Sequence, residues 1–240
     1  SNIPMTRTPD AHFYTEVRYK GTKTVAISSD FGEMAKFSDI WMAPRQGTDA
    51  ALAMAMGHVI LKEFHIDNPS DYFEDYTRRL TDMPMLVCLN KDEQGYRPGY
   101  CLRASQLDQQ LGEEKNAEWK TIVWDENADS LAVPNGSVGF RWDGSAKWNL
   151  ETKAQGQEIL AARSLKERAD DVVRVGFGYY GGEHDEMIYR KVPVKKITLA
   201  NGETQLVATV FDLLIAQYGV DNGLDDENVA KDYFEDKPYT

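Results

Sequence analysis

The feature that most constrains this chain is the regular succession of short apolar runs and helical stretches over its first third. Thr24-Val25-Ala26-Ile27 is a short, β-rich apolar run suited to a buried parallel strand. The polar turn Ser28-Ser29-Asp30 follows it, and then a short helical stretch over residues 32–37. Ile40-Trp41-Met42-Ala43 is a second such run, closed by Pro44. Arg45-Gln46-Gly47-Thr48-Asp49 leads into the clearest helix, residues 49–64, where Leu52, Met56, Val59, Ile60 and Phe64 fall close to one stripe. Thr48 is placed to cap that helix, and Asp49 suits the positive end of its dipole. Strand, loop and helix in alternation predict an α/β sheet.

Asn68-Pro69-Ser70 ends this unit and caps a further helix over residues 71–80. The texture then changes. Residues 85–89 read as a strand, Lys91-Asp92-Glu93-Gln94-Gly95 as a solvated turn, and residues 104–111 as a short helix closed by Gly112. Over residues 119–150, short β-rich pieces alternate with the hairpin dipeptides Asn135-Gly136 and Asp143-Gly144, which predicts an antiparallel β-rich insertion. Residues 151–171 are charged with little stripe and read as a mobile helix or linker. The best hairpin signal is residues 191–199, Asn201-Gly202 and residues 204–210, followed by a helix over 211–218 that Gly219 stops. The expected organisation is an α/β part over residues 1–90, a β-rich insertion with its charged linker over 91–171, and a hairpin plus helix over 172–240 that completes the α/β part.

Composition excludes several classes. Of 240 residues 42% are hydrophobic, enough for a real core and against wholesale disorder. A net charge of −12 argues against nucleic acid as a partner and against adsorption to an anionic membrane. The densest apolar stretch, residues 50–64, is broken by Gly57, His58, Lys62 and Glu63, so no membrane-spanning helix is expected. No secretory leader follows Ser1, and both ends look cut, as in a processed or excised piece. Cys88 and Cys101 cannot build a thiolate cluster and read as ordinary, partly buried thiols.

Three segments could carry chemistry. The first, residues 1–12, offers hydroxyls, an amide and a guanidinium, the groups that grip phosphates and polar heterocycles. Taken alone it reads rather as an irregular start to a helix over residues 9–19, capped around Thr8-Pro9-Asp10. The second, Ser28-Ser29-Asp30, lies at the carboxyl end of a strand, where open α/β sheets bind ligands, although Ser-Asp turns are common. The third, residues 44–49, places a glycine before a helix start, which lets backbone N–H groups approach a pyrophosphate. It matches neither a Walker A loop nor GxGxxG. Together the three share one chemical preference, a nucleotide diphosphate, and are expected to converge on one edge of a sheet. His58 and His65 read as structural, Tyr179-Tyr180 before Gly181-Gly182 as a packed turn, and Asp225-Asp226-Glu227 as a solvated helix start. No convincing catalytic base and no metal-ligand set presents itself.

As a set, these segments resemble the catalytic alpha subunits of the respiratory, membrane-bound nitrate reductases, a branch of the molybdopterin oxidoreductases. The resemblance is carried by Ser1-Asn2-Ile3-Pro4, Thr6-Arg7-Thr8-Pro9-Asp10-Ala11-His12-Phe13 and Glu16-Val17-Arg18-Tyr19-Lys20-Gly21-Thr22-Lys23. Residues 46–60, from Gln46-Gly47-Thr48-Asp49 onward, add to it, with Asp82-Met83-Pro84-Met85, Val133-Pro134-Asn135-Gly136-Ser137 and Lys147-Trp148-Asn149-Leu150. It runs from end to end and is densest before residue 90; the Gly-Thr-Asp element belongs to the wider superfamily.

The resemblance implies the strand–loop–helix core of a molybdopterin-dinucleotide-binding domain, with residues 1–90 as its cofactor-binding part. It implies molybdenum held by two molybdopterin guanine dinucleotides, a 4Fe-4S cluster, and reduction of nitrate to nitrite by two electrons. Those electrons would come from an iron–sulfur beta subunit fed by a membrane cytochrome b gamma subunit, in a membrane-associated complex on the cytoplasmic face, the chain itself being soluble. The cofactor contacts carried over are Asn2, Thr6 and Thr8 toward phosphate and pterin, Ser29 and Asp30 toward ribose or guanine, and Gly47, Thr48 and Asp49 in a second nucleotide-contacting turn. Serine stands at position 29 where relatives carry proline. The family's cluster cysteines and aspartate ligand to molybdenum have no counterpart here. The chain is therefore expected to be an internal fragment without catalytic or metal-ligating residues, inactive alone, free of bound cofactor and prone to self-association. The rivals are a relative acting on another oxyanion or a hydrocarbon, and a non-catalytic nucleotide-binding or subunit-interaction module.

Overall fold

A computed structural model describes residues 3–108, 111, 116–135, 153–178 and 187–229. The chain divides into two compact units, Ser1–Met56 and Gly57–Thr240.

The first unit opens with α1 (Ile3–Thr6) and α2 (Thr8–Tyr19), the latter carrying Pro9 in its first turn, where a missing N–H costs nothing. Then come β1 (Val25–Ile27), α3 (Glu33–Lys36), β2 (Ile40–Met42) and the start of α4 (Asp49–Leu61). A parallel pair needs a crossover, and α3 supplies it. β1 and β2 run parallel in the register Val25↔Ile40, Ala26↔Trp41, Ile27↔Met42. Asp39 fixes the amino end of this pair. Its carboxylate accepts the Thr24 N–H at 2.8 Å and the Thr24 hydroxyl at 2.9 Å, and Arg18 of α2 approaches it at 3.5 Å. Those hydrogen bonds from Thr24, helped by the Arg18 charge, hold the Asp39 carboxyl below the usual range.

The expected buried strand is corrected here. Only Ala26 is covered, while Val25, Ile27, Ile40, Trp41 and Met42 are all exposed. A parallel sheet is buried when helices cover both faces, and among the described residues the two three-residue strands are left mostly bare by the helices of this unit.

In the second unit α4 runs on into a π-helical turn, Lys62–Asp67, which extends the predicted helix and turns His65 inward. Next is α5 (Asp71–Leu80), where Ser70 accepts the Phe73 N–H as a cap. The strands are β3 (Leu86–Lys91), β4 (Tyr96–Cys101), β5 (Val123–Asp125), β6 (Ser130–Ala132), β7 (Lys153–Ala154), β8 (Gln157–Glu158), β9 (Asp171–Gly178), β10 (Met187–Thr198) and β11 (Thr204–Thr209), and α6 (Val210–Gln217) follows. Five of these close a barrel in the order β10-β11-β3-β4-β9, antiparallel except where β4 meets β9 at Tyr96↔Val175. Strands from all three stretches distinguished in the sequence thus stand side by side. β3 is buried on both faces. Val87 and Leu89 pack with Val175, Phe177, Val192 and Val194, and Leu86 and Cys88 pack with Leu102, Ile122, Trp124 and Val207.

The mixture of helices with parallel and antiparallel strands fits the α/β class, but several elements differ from expectation. The helix over residues 104–111 shrinks to a 3₁₀ turn, Ala104–Gln106, which ends where Leu107 takes an extended backbone (φ −104°, ψ 168°) and enters the core. The charged stretch 151–171 is no free helix. Its described part forms the β7–β8 hairpin and then a segment whose Ile159, Ala162 and Leu165 enter the core. Asp225-Asp226-Glu227 starts no helix among the described residues. Asp226 is buried, accepting the N–H groups of Lys191 and Asn228. Gly112, Gly136, Asp143-Gly144, residues 147–150 and Tyr179-Tyr180-Gly181-Gly182 lie outside the described residues. No helix among the described residues is long and apolar enough to cross a membrane.

Candidate functional site

The carboxyl ends of β1 and β2 point the same way, so the loops that leave them emerge at one edge. Residues 28–32 form the first loop. The Ser28 N–H bonds the Met42 carbonyl at 3.1 Å, the Ser28 hydroxyl donates to the Asp30 carbonyl at 2.7 Å, and the Gly32 N–H donates to the same oxygen at 3.0 Å. From the neighbouring strand, the Trp41 indole N–H donates to the Ser28 carbonyl at 3.1 Å, and Phe31 meets the indole edge-on, centroids 5.0 Å apart. The loop is thereby fixed without using the side chains of Ser29 and Asp30, which stay exposed.

Residues 43–48 form the second loop, a turn into α4. The Thr48 hydroxyl bonds back to the Arg45 carbonyl at 2.6 Å, and the Thr48 N–H reaches the same oxygen at 3.1 Å. This corrects the expected cap: the hydroxyl closes the turn and leaves the helix end open. The first intrahelical bond is Leu52 N–H to Thr48 carbonyl, so the N–H groups of Asp49, Ala50 and Ala51 meet no acceptor among the described residues. Gly47 takes φ +78°, and no heavy atom lies within 4 Å of where its Cβ would be. That backbone strains any other residue and leaves open space beside the turn. Arg45 is exposed and forms no ion pair among the described residues. An unpaired guanidinium close to the positive end of a helix is a juxtaposition of like charges that an anion relieves.

Thr6 closes α1 and Thr8 opens α2; both are exposed. α1 lies against α3, and α3 against β1. A Tyr14–Ser38 hydroxyl bond of 3.0 Å ties α2 to the stretch before β2. Asn2 lies outside the described residues. The structure therefore brings Ser29, Asp30, Gly47, Thr48 and Asp49 to one end of the strand pair, and joins Thr6 and Thr8 to the same unit through the α1–α3 contact. Sequence reasoning gave no role to Arg45, Phe31 or Trp41. The signal was present as an arginine inside the turn, one aromatic in the first loop and another within β2.

The histidines are buried in the second unit. His58 Nδ1 bonds the Tyr218 carbonyl at 2.8 Å, and His65 Nδ1 meets Arg163 at 2.8 Å. Burial holds both below the usual imidazole range. Cys88 is buried and Cys101 half-buried; both are free thiols, pushed up by burial. No group of three or more His, Cys, Asp or Glu able to hold a metal occurs among the described residues.

Comparison with known proteins points in one direction. Residues 1–230 match the family described as Molybdopterin oxidoreductase. The chain is 56% identical to the respiratory nitrate reductase 2 alpha chain of Escherichia coli strain K12, over 100% of its own length and 20% of that protein. It is 44% identical to the nitrate reductase alpha chain of Bacillus subtilis strain 168, over 100% of its length and 19% of that protein. Similarity extends, at 35% identity over 58% of the chain and 13% of the relative, to the perchlorate reductase subunit alpha of Dechloromonas aromatica. The chain spans about a fifth of the length of these two nitrate reductase alpha chains.

Proposed function

Because the chain belongs to the molybdopterin oxidoreductase family, we propose that its Ser1–Met56 unit holds the nucleotide end of a molybdopterin guanine dinucleotide, within the catalytic alpha subunit of a respiratory nitrate reductase. One observation carries the reading: at the carboxyl edge of the parallel pair, an open helix N-terminus and an unpaired Arg45 face outward together. The residues fit the group. Three free N–H groups and the guanidinium suit a pyrophosphate, and Gly47 leaves room for it to approach the backbone. Ser29 and Asp30 offer an acceptor and a hydroxyl to ribose or base, and Asp49 adds a carboxylate at the same turn. Asn2, Thr6 and Thr8 extend the polar contacts toward the pterin. Bound there, the molybdenum cofactor supplies the two-electron reduction of nitrate to nitrite; the chain binds and orients it.

The identity to nitrate reductase alpha chains also supports a multisubunit, membrane-associated complex, with an iron–sulfur beta subunit and a cytochrome b gamma subunit passing electrons to a 4Fe-4S cluster in the alpha subunit. Reduction of another oxyanion is the second reading, favoured by the similarity to a perchlorate reductase subunit. The test uses the whole subunit. In Gly47→Val the turn cannot keep its backbone, and molybdenum by elemental analysis and GMP released by acid hydrolysis should both fall more than tenfold. Arg45→Gln, an exposed change, should lower both severalfold. Unchanged molybdenum and GMP in both variants would overturn the cradle.

A further inference from the structure

The Phe31–Trp41 pair has no task within the unit that would require it to stay exposed. Phe31 is 57% and Trp41 40% exposed, yet both rings are held: Trp41 by its N–H bond to Ser28, Phe31 by its edge-on contact with the indole. Ala26, the register partner of Trp41, is small and buried, so the indole has room to lie across the end of β1. Exposed aromatics elsewhere also pair, Phe13 with His12 and Tyr72 with Tyr76, but those pairs lie along the helices α2 and α5 and not at the parallel strands. An aromatic surface that is both bare and preoriented loses little further freedom when a flat ligand lands on it. It lies at the same edge as the loops of residues 28–32 and 43–48.

We propose that Phe31 and Trp41 form the stacking surface for the purine base of the bound nucleotide, with Trp41 also positioning the 28–32 loop through Ser28. The inference rests on the nucleotide reading above and adds to it the base-contacting side chains. Stacking suits a base because every base presents a π-face, and a purine covers more of the two rings than a pyrimidine does. In a T-shaped pair each ring leaves at least one face uncovered by its neighbour, so the base can lie flat on one ring and abut the other.

The test titrates the 240-residue chain with GDP, CDP and inorganic pyrophosphate by calorimetry, and follows the GDP H8 proton by NMR. GDP should bind about tenfold tighter than pyrophosphate, with CDP between them, and H8 should move upfield on binding. Phe31→Leu and Trp41→Leu should reduce GDP to the affinity of pyrophosphate and abolish the H8 shift. Trp41→Phe, which keeps an aromatic face but loses the bond to Ser28, should retain the H8 shift and bind GDP more weakly than the wild type, though still tighter than pyrophosphate. GDP affinity and H8 shift unchanged in both leucine variants would overturn the stacking surface while leaving the phosphate cradle standing. Failure of the wild-type chain to bind either GDP or pyrophosphate would overturn the nucleotide reading and the stacking surface with it.

Discussion

Asp212 shows what a single residue can do to this fold. It lies in the first turn of α6, 2% exposed, and accepts the Leu165 N–H at 2.8 Å, the Thr209 hydroxyl at 2.8 Å and the Ser164 hydroxyl. Burial outweighs these bonds and the nearby Arg163 charge, and pushes the carboxyl up to about 6. A raised carboxylate favours folding while protonated. Its contribution is therefore present below the ordinary Asp pKa of about 4 and is lost as pH rises through 6, a change of about 3 kcal/mol. Urea unfolding from pH 4 to 7.5 should show the wild-type advantage over Asp212→Asn shrinking by about 2–3 kcal/mol, and parallel curves would refute it. His58 and His65 act in the opposite sense: burial holds them below the unfolded imidazole value, so their contribution is lost on acidification. None of this was legible in the sequence. Leu165 and Asp212 are far apart in the chain, and the 151–171 stretch looked too charged to enter a core. At the candidate site, by contrast, Gly47 and Asp30 were legible because strand-to-helix junctions are local.

At the scale of elements, α4 and α6 meet where Gly57 sits against Tyr218. A Cβ at Gly57 would run into the Tyr218 ring. Alanine gains about 1 kcal/mol of helix propensity over glycine, whereas overpacking costs about 1–3 kcal/mol. Gly57→Ala should therefore destabilise the chain by about 1–2 kcal/mol in denaturant unfolding, and the double variant Gly57→Ala/Tyr218→Leu should recover part of the loss. A more stable Gly57→Ala would contradict the packing. The β10–β11 hairpin was readable because Asn201-Gly202 marks its turn and Gly202 takes φ +82°. β4 and β9 were not. Pro98 argues against a strand, yet it lies opposite Leu89 beside a break in the β3–β4 register. β9 has no turn signal of its own, and its identity comes from the eight-residue ladder it shares with β10.

For the whole molecule, one bare apolar surface is the two-stranded sheet of the first unit, where Val25, Ile27, Ile40 and Met42 lie exposed on strands whose outer edges are unpaired among the described residues. Such edges are templates for association. The isolated chain should self-associate with rising concentration in sedimentation experiments. Ile40→Lys should shift it toward monomer; a monomeric wild type over the same range would refute this. The −12 charge opposes association at low salt, so the effect should grow as salt screens it. The closed barrel, for its part, sets a timetable. β3 finds one neighbour, β4, almost at once, but its other edge belongs to β11, about 110 residues further on. At ribosomal rates of 5–20 residues per second, roughly 6–20 s pass during synthesis with Leu86-Val87-Cys88-Leu89 half-paired. The parallel pair β1–β2 closes over only some fifteen residues, so the first unit can be in place while the barrel strand is still waiting and most in need of protection from other chains.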